Sequence, residues 1–381
     1  MTGPVPSSPP VTAPTPAGRP VTFRAATADE REGWDDLTVH VGGGHVYQSR
    51  AWATHRAATG WRPSFLVGSD GSGVLALGRR WPVIGGASAY IPRGPVPAGG
   101  APAMAARLLG ATDWLASHGV DVLATDAEIP ADTGYGALIA AGAFRPIPEI
   151  QPSRHRMSLD LGGQPDEAAL RSACSKSTRQ RIASAEQEHL EIVRHDTRKI
   201  PADGLVSDAP GPPSDALAAF SRLLAATGDR VGFRIGDMGG FIAWWMAAHA
   251  AGHVIYLEAR AVGGPVGGLI LYRHGGRLST VHSADDPASR RTYPGLMHLL
   301  RWRAIQLALR EGCAEMDLGG VDVAPDHGEP VPGSPTYGLY EHKRSFGARW
   351  ISMSGAHERV IRPWRSSAGR VTARVARAVR R

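Results

Sequence analysis

The sequence repeats one succession of secondary-structure elements, and this repetition limits the folds open to the chain. In each half the residue pattern predicts a helix, three strands joined by tight turns, a long helix and one more strand. The long helices are closed by Gly119 and Gly312, and the strands that follow end at Asp126 and Asp317. Glycine pairs between the strands of the second half suit hairpin turns. The sequence therefore predicts an internal duplication of one mixed α/β unit.

Changes in composition divide the chain into four parts. Residues 1–20 hold seven prolines, which predicts a disordered tail rather than regular structure or a secretory signal. Residues 21–150 and 151–361 are predicted to form the two α/β units, and residues 362–381 are a basic tail. The pattern has no pair of long, heptad-rich helices, so we expect a compact chain without a coiled-coil arm.

Composition narrows the kinds of partner and the kinds of site. The 381 residues are 43% hydrophobic and 20% charged, as in soluble globular proteins. Cys174 and Cys313 lack metal-ligand spacing, and no run is apolar enough for a transmembrane helix, so neither a metal site nor a membrane span is expected. The net charge of +7 and the pI near 9.8 favour an anionic partner: RNA, a nucleotide diphosphate or an acidic membrane surface.

A glycine-rich strand end and a lysine form the first candidate site. The stretch from Glu315 to Gly320 predicts a strand that runs into Gly319 and Gly320, where the backbone can approach a ligand closely. After a Pro/Gly-rich loop, a short amphipathic turn places Lys343 between two aromatic residues. This spacing suits an oxyanion site, and on spacing alone a surface lysine on an ordinary helix explains it as well.

This stretch resembles the C-terminal signature of the FemABX family of peptidoglycan interpeptide-bridge aminoacyltransferases. The family shows an acidic-apolar-Gly-Gly strand end, a loop and a Gly-Leu-Tyr-x-Phe-Lys-x-x-Phe-Gly run. The chain departs from this run at His342, where the family usually has Phe. The matching residues are Gly338, Leu339, Tyr340, Lys343, Phe346 and Gly347.

The first half also resembles the family. Gln48, Ser49 and Trp52 match its Gln-Ser-x-x-Trp helix, and residues 90–96 match Tyr-x-Pro-x-Gly-Pro-Val. Arg56 falls where the family has a basic contact to substrate phosphate. Residues 97–99 stand where many members carry an aspartate placed as a base, and their lack of one puts an aspartate-base mechanism in doubt.

The resemblance implies a fold and a reaction. The fold would be two acetyltransferase-like (GNAT) units in tandem. The donor would be aminoacyl-tRNA, and the acceptor would be an amine of a peptidoglycan precursor, lipid-linked or nucleotide-linked. No cofactor is implied, and we expect a cytoplasmic monomer.

The resemblance also implies roles for particular residues. Lys343 would stabilise the oxyanion, Tyr340 and Phe346 would frame it, and Gly319 and Gly320 would give close backbone approach. His282 falls where members often have a substrate-contacting tyrosine, and a packed strand histidine is an equal interpretation. Asp317 is expected to orient backbone rather than act as a base.

Other functions stay open on the sequence. Transfer to a non-peptidoglycan amine, as in peptide-antibiotic biosynthesis or resistance, fits the same fold, and so does a relative that binds without turnover. A plain N-acetyltransferase would need a pyrophosphate loop before the second long helix, where the chain has Asp285, Asp286 and Pro294 instead. A basic run in the helix predicted over 166–188 is either a solvated face or a contact to RNA phosphate.

The basic tail has three interpretations. Eight arginines follow one another from Arg359, with no acidic residue after Glu358. A helix beyond Gly369 would gather Val371, Val375 and Val379 on one side, next to an arginine stripe. The tail is predicted to contact the anionic inner face of the membrane, with tRNA binding and a solubilising disordered end as the alternatives.

Overall fold

The chain forms two β-sheets with helices packed on both of them. The computed structural model describes residues 20–151, 154–188, 190–199, 204–231, 237–321 and 328–379. Apart from Pro20, the predicted proline-rich tail lies outside the described residues.

The strands follow the chain in short segments, with the longest in the second half. They are β1 (Phe23–Ala25), β2 (Arg62–Gly68), β3 (Gly73–Arg80), β4 (Ala87–Ile91), β5 (Val120–Thr125), β6 (Arg145–Pro146), β7 (His155–Asp160), β8 (Glu191–His195), β9 (Ser207–Asp208), β10 (Val254–Ala261), β11 (Gly264–His274), β12 (Arg277–Asp285), β13 (Glu315–Asp317), β14 (Arg349–Ser352) and β15 (His357–Val360).

The helices vary from one turn to five turns. They are α1 (Ala28–Glu32), α2 (Trp34–Thr38), α3 (Arg50–Ala58), α4 (Gly100–Ser117), α5 (Tyr135–Ala141), α6 (Glu167–Ala173), α7 (Lys176–Gln187), α8 (Ser214–Val231), α9 (Met238–Ala250), α10 (Ser289–Thr292), α11 (Leu296–Arg310), α12 (Tyr337–Arg344) and α13 (Pro363–Val379).

The predicted duplication is confirmed by the order of the strands. The first sheet runs β1-β2-β3-β4-β5-β15-β6, and the second runs β14-β7-β13-β12-β11-β10-β8-β9. Each contains an antiparallel meander, β2-β3-β4 or β10-β11-β12, followed by a long helix and a parallel strand, β5 or β13. The mixed α/β fold class is therefore as predicted, and no long coiled-coil arm occurs among the described residues.

One strand crosses between the predicted units. Strand β7 opens the predicted 151–361 range and lies in the second sheet, between β13 and β14 and antiparallel to both. Strand β15 comes from the end of the same range but lies in the first sheet, between β5 and β6 and antiparallel to both. The sheet of the first unit therefore includes residues from the end of the predicted 151–361 range.

A shared hydrophobic core joins the two units. One buried cluster packs the second sheet against α11, and another packs the first sheet against α4. A third cluster contains Trp34 and Trp52 from the first unit together with Trp244, Tyr256 and Tyr272 from the second. Large aromatic side chains bury much apolar surface, so this cluster fixes the two sheets relative to each other and shapes the space between them.

Two helix predictions were wrong in their bounds. The single helix expected over 166–188 is two helices, because Cys174 is extended and Ser175 caps α7 by accepting from the Thr178 amide. The tail helix begins at Pro363 rather than beyond Gly369, since proline is favoured in the first turn of a helix. Both differences come from capping, which the hydrophobic period alone does not show.

Candidate active site

Strands β12 and β13 separate at the centre of the second sheet and open a cavity. They pair in parallel only as far as Ser279 and Asp317. Beyond that point a bulge in β12 leaves Val281 without a partner on β11, since Thr280 pairs with Leu271 and His282 with Ile270. A cavity of about 400 Å³ lies here, lined by residues of both units.

Lys343 reaches the glycine pair from α12. Its side chain is buried, and its Nζ donates to the Gly320 carbonyl oxygen at 2.6 Å. Gly319 has a φ of +81°, and a Cβ there would lie 2.7 Å from the Thr280 carbonyl oxygen and 3.3 Å from Lys343 Nζ. The Gly319 amide donates to Asp317 Oδ1 at 2.7 Å, so Asp317 orients this backbone turn. The structure therefore brings Lys343, Gly319 and Gly320 together at the cavity wall.

His282 lines the same cavity farther along β12. Its ring lies edge-on to Trp245, with ring centroids 5.4 Å apart, and close to Phe241. Burial lowers the pKa of His282 to about 4, so the imidazole is neutral at pH 7. A neutral imidazole in this place can donate or accept one hydrogen bond to a substrate.

The opposite end of the cavity is lined by charged residues from both units. Arg93 pairs with Asp126 across the β4 and β5 ends. Arg156 contacts Glu315 at 3.0 Å, and Arg277 pairs with Glu128. Arg93, Glu128 and Arg156 line the cavity. The Tyr-x-Pro-x-Gly-Pro-Val motif contains Arg93, but the sequence carried no signal for Glu128 or Arg156.

A pair of histidines next to these charges resembles a metal site by proximity alone. The ligand atoms of His45, Glu128 and His274 lie within 4.8 Å of one another. However, His274 Nδ1 is 2.8 Å from the Gly44 carbonyl and its Nε2 is 3.1 Å from Ser279 Oγ, so both ring nitrogens already have partners. Glu128 is likewise paired with an arginine, and the cluster fits a hydrogen-bonded network rather than a metal site.

Arg56 lies outside the cavity, one aromatic layer away. Its guanidinium lies over the rings of Trp52 and Trp61, at 5.3 Å and 5.1 Å from their centroids. Arg79 lies over the same Trp61 ring at 5.1 Å. Trp52 stacks on Tyr47, which lines the cavity. The structure thus places two arginines near an edge of the first unit, separated from Lys343 by stacked rings.

Tyr340 and Phe346 do not line the cavity. The Tyr340 hydroxyl donates to the Glu329 carboxylate, and the ring packs against Trp350. Phe346 is buried beside His298 and His342. These two residues support the helix that carries Lys343 rather than border the cavity.

His342, which stands where the FemABX family usually has Phe, lines a second, shallower groove. Burial, followed by the charge of Arg301, lowers its pKa to about 2. The groove measures about 590 Å³ and lies between the N-terminal turn of α7 and α12. Its walls carry hydroxyls, two arginines and one carboxylate, namely Ser175, Ser177, Thr178, Ser345, Arg181, Arg344 and Glu341. Glu341 pairs with Arg344 at 2.8 Å. Within the basic run of α7, Arg179 donates to the Ser172 and Cys174 carbonyls, so it caps α6.

The N-terminus of α11 is covered by α7. A Cβ at Gly295 would lie 2.3 Å from the Arg181 carbonyl oxygen, so α7 packs directly on this turn. The Leu296, His298 and Leu299 amides donate to backbone carbonyls of Tyr293 and Gly295. These amides are therefore engaged, whereas a pyrophosphate at a helix N-terminus needs free ones.

Comparisons with known proteins bear on the fold. Residues 173–344 match the family model described as an acetyltransferase (GNAT) domain. The crystal structure of FemX is similar with a TM-score of 0.71 and 17% identity, covering 91% of this chain and 99% of that one. No curated protein matched the sequence significantly.

Two further structures are similar at lower scores. The structure of L-PGS from Bacillus licheniformis has a TM-score of 0.50 and 11% identity, covering 93% of this chain and 97% of that one. The C-terminal domain (DUF2156) of a putative lysylphosphatidylglycerol synthetase from Agrobacterium fabrum has a TM-score of 0.50 and 13% identity, covering 91% and 96%.

The chain has a FemX-like tandem GNAT fold, as the sequence predicted. Together with the GNAT match, this fold supports an acyltransferase. No helix of the described residues has the length and apolarity needed to cross a bilayer.

Proposed function

We propose that this protein is an aminoacyltransferase that moves an amino acid from aminoacyl-tRNA to an amine of a peptidoglycan precursor. The observation that carries the proposal is Lys343, a buried lysine whose Nζ is held against the Gly319–Gly320 turn at the cavity between the units. The FemABX-like motif contains this lysine, and the fold is that of FemX.

Lys343 would act on the charge that develops during aminolysis. The acceptor amine attacks the ester carbonyl of the donor, a C–N bond forms, and the carbonyl oxygen becomes an oxyanion. Collapse of this intermediate breaks the C–O bond and releases the ribose hydroxyl of the tRNA. An ammonium already fixed by Gly320 needs little reorganisation to stabilise that oxyanion. The amine's proton passes to the leaving ribose oxygen, directly or by way of solvent, so the ribose leaves as a hydroxyl.

The charge of Lys343 favours a reactive amine. Only the neutral amine is a nucleophile, and nearby positive charge disfavours the ammonium form. Arg93, Arg156 and Arg277 add little to this effect, because each is paired with a carboxylate. An acceptor amine placed beside Lys343 would therefore lose its proton more readily than in water, and no dedicated aspartate base is required.

The acceptor's phosphates would lie at Arg56. A nucleotide-linked or lipid-linked precursor carries its diphosphate far from the reacting amine, separated by sugar and peptide. Arg56 and Arg79 flank Trp61 one aromatic layer from the cavity, which is compatible with such a separation. Arginines offer several donors to phosphate oxygens.

The donor would approach from the groove between α7 and α12. The groove offers hydroxyls and two arginines to an RNA backbone, and α12 carries residues of both the groove and the cavity. The covered N-terminus of α11 argues against coenzyme A at this place.

One alternative keeps the donor and changes the acceptor. The absence of an aspartate at residues 97–99 favours transfer to a different amine, as in peptide-antibiotic biosynthesis or resistance. Incubation of the protein with charged total tRNA and each candidate acceptor, followed by mass measurement of the adduct, tests both. An adduct of one aminoacyl mass on a peptidoglycan precursor supports the proposal, and an adduct only on another amine supports the alternative. Acetylation from acetyl-CoA alone would contradict both.

A further inference from the structure

Arg301 is a buried arginine on the cavity wall whose guanidinium is poorly paired within the protein. It lies on α11, is 4% exposed and lines the cavity together with His282 and Ser283. Nη1 is 3.5 Å from the Met297 carbonyl and Nη2 is 3.4 Å from Ser283 Oγ, both at the limit for a hydrogen bond. Among the described residues, no group accepts from its buried Nε.

The nearest opposite charge is already engaged. Asp285 acts on Arg301 electrostatically, but its two carboxylate oxygens accept from Arg290 at 2.6 and 2.7 Å. Burial accordingly lowers the pKa of Arg301 to about 10. A buried guanidinium without good partners is costly, and on a cavity wall a ligand can supply the missing partner.

Arg303 on the same helix has a carboxylate partner that Arg301 lacks. It is 7% exposed, and its Nη1 donates to Gln306 Oε1 at 2.8 Å and lies 3.2 Å from Glu186 Oε1. Its Nε, like that of Arg301, is buried without an acceptor among the described residues. The two arginines therefore differ in the pairing of their terminal nitrogens rather than in burial or in helix.

We propose that Arg301 binds an anionic oxygen group of the substrate, a carboxylate or a phosphate, at the α11 end of the cavity. The arginine presents Nε and both terminal nitrogens in a planar fork that matches two oxygens of such a group. His282 and Ser283 supply neighbouring polar contacts on β12. Strand residues 279–283 extend for about 13 Å at 3.3 Å per residue, so this anion site and the charged end near Arg156 are well separated. The assignment of the anion to a transfer substrate depends on the proposed function.

Inorganic phosphate and acetate are the probes for this site. Phosphate binding is measured by calorimetry on the full chain, with acetate in parallel, for the wild type, Arg301→Met, Arg301→Lys and the control Arg303→Met. We expect Arg301→Met to weaken binding of one of the two ions about ten- to hundredfold and to leave the melting temperature equal or higher. Arg303→Met should keep the affinity and lower the melting temperature, because it removes a buried pairing with Glu186 and Gln306. The ion whose affinity falls in Arg301→Met shows whether the site binds a phosphate or a carboxylate.

Two outcomes would overturn the assignment of an anion site to Arg301. Unchanged affinity for both ions in Arg301→Met would exclude it, and so would loss of stability equal to that of Arg303→Met with binding intact. Arg301→Lys keeps the charge and should recover part of the binding even where the methionine variant folds poorly. Loss of ion binding in Arg301→Met, with no transfer from charged tRNA by the wild type, would overturn the proposed function and leave the anion site in place.

A second and independent observation concerns the outer side of α13. The inner side packs on the first sheet: Gly369 lies against the Trp81 ring, and Arg362 and Arg365 each lie 3.3 Å from the buried Asp121. The outer side carries Trp364, 72% exposed, and Val371 and Val375, 58% exposed each.

These three residues lie on one side of the helix. Positions 364, 371 and 375 follow helical spacing, and the exposed Arg374 lies three positions from Val371, on the neighbouring side of the helix. Arg370 pairs with Glu358 at 2.8 Å. The turn between β3 and β4, which packs along α13 through Trp81, carries one more fully exposed valine, Val83. An apolar stripe bordered by arginines is the pattern of an interfacial helix.

We infer that this outer face of α13 contacts an anionic bilayer surface. RNA would use the arginines but offers no partner for the valines, whereas a bilayer interface accepts tryptophan, valine and arginine together. Each arginine near an anionic leaflet adds to the attraction, which salt would weaken.

Vesicle sedimentation with the full chain tests whether the outer face of α13 binds an anionic bilayer. Binding to phosphatidylglycerol–phosphatidylcholine vesicles should exceed binding to pure phosphatidylcholine, and should fall about tenfold or more in Trp364→Ser/Val371→Ser and in Arg374→Glu. Val262→Ser and Arg222→Glu, which change an exposed valine and an exposed arginine on other elements, are the matched controls. Equal binding by variants and controls would overturn the inference, as would loss of tRNA affinity or of self-association without a change in vesicle binding.

Discussion

The Nζ of Lys343 lies 2.6 Å from the carbonyl oxygen of Gly320, and this contact joins helix α12 to the end of strand β13. The two residues are far apart in sequence and are brought together because Gly319 turns the backbone in the left-handed region. The ammonium is therefore fixed before a substrate arrives, which is the condition for effective electrostatic stabilisation.

Removal of the lysine tests this arrangement. Lys343→Ala should lower turnover by roughly 10²–10³, the effect of losing one charge-stabilising donor. Lys343→Arg should recover little, since a planar fork does not replace a compact ammonium. Turnover is measured with charged tRNA and the accepted amine, with Arg349→Ala at an exposed site as control. A folded Lys343→Ala protein with near-normal turnover would exclude the role.

Gly319 should tolerate no side chain. Gly319→Ala adds a Cβ within 2.7 Å of the Thr280 carbonyl oxygen at a φ of +81°. Gly276 is a matched control, because it has a φ of +79° with nothing within 4 Å of a Cβ. Gly276→Ala should cost about 1–2 kcal/mol of stability through the backbone alone.

The clash should lower both the stability and the turnover of the Gly319→Ala variant. We expect a greater loss of stability than in Gly276→Ala and a fall in turnover, because the backbone must shift away from Lys343. Thermal unfolding and turnover, measured on both variants, give the comparison. Equal stability and equal turnover in the two would show that the close approach at Gly319 is unimportant.

Acid should destabilise the protein through its buried histidines. Burial lowers the pKa of His274 and of His282 to about 4, below the ordinary value of about 6.5. Between these values the unfolded chain binds more protons than the folded one, so stability falls as pH decreases from about 6.5 to 4. His282→Gln removes one titrating group and should flatten this slope in denaturant unfolding series. A slope identical to that of the wild type would contradict the lowered pKa.

The placement of β15 in the first sheet should make the first predicted unit dependent on the second. Residues 20–150 expressed alone lack β15, which lies between β5 and β6, and an unpaired strand edge favours aggregation. We expect this fragment to be protease-sensitive, and a fusion that adds residues 355–379 through a flexible linker to be more resistant. A fragment that unfolds cooperatively without the added segment would show that the first unit is independent.

The sequence predicted what depends on local pattern. The strands of the meander around β11, the long helix α11 and the glycine-rich strand end all follow from periodicity, turn residues and a family-like motif. The crossing of β15 into the first sheet was not predictable, since β15 has the pattern of an ordinary strand and its partners are set by long-range pairing. The same holds for Arg156 and Arg301, whose positions in the chain show no motif and whose contacts with the cavity exist only after folding.

Acetyl-CoA should not serve as the donor. The N-terminus of α11 is the place where a GNAT domain would bind pyrophosphate, and here α7 covers it so closely that a Cβ at Gly295 would lie 2.3 Å from the Arg181 carbonyl oxygen. The amides of this turn also donate within the chain. Calorimetry with acetyl-CoA should therefore show no micromolar binding, while charged tRNA binds in the same buffer. Uncharged tRNA and coenzyme A are the paired controls that separate recognition of the acyl group from recognition of its carrier. Micromolar acetyl-CoA binding, together with acetylation of an amine, would move the protein to the N-acetyltransferases.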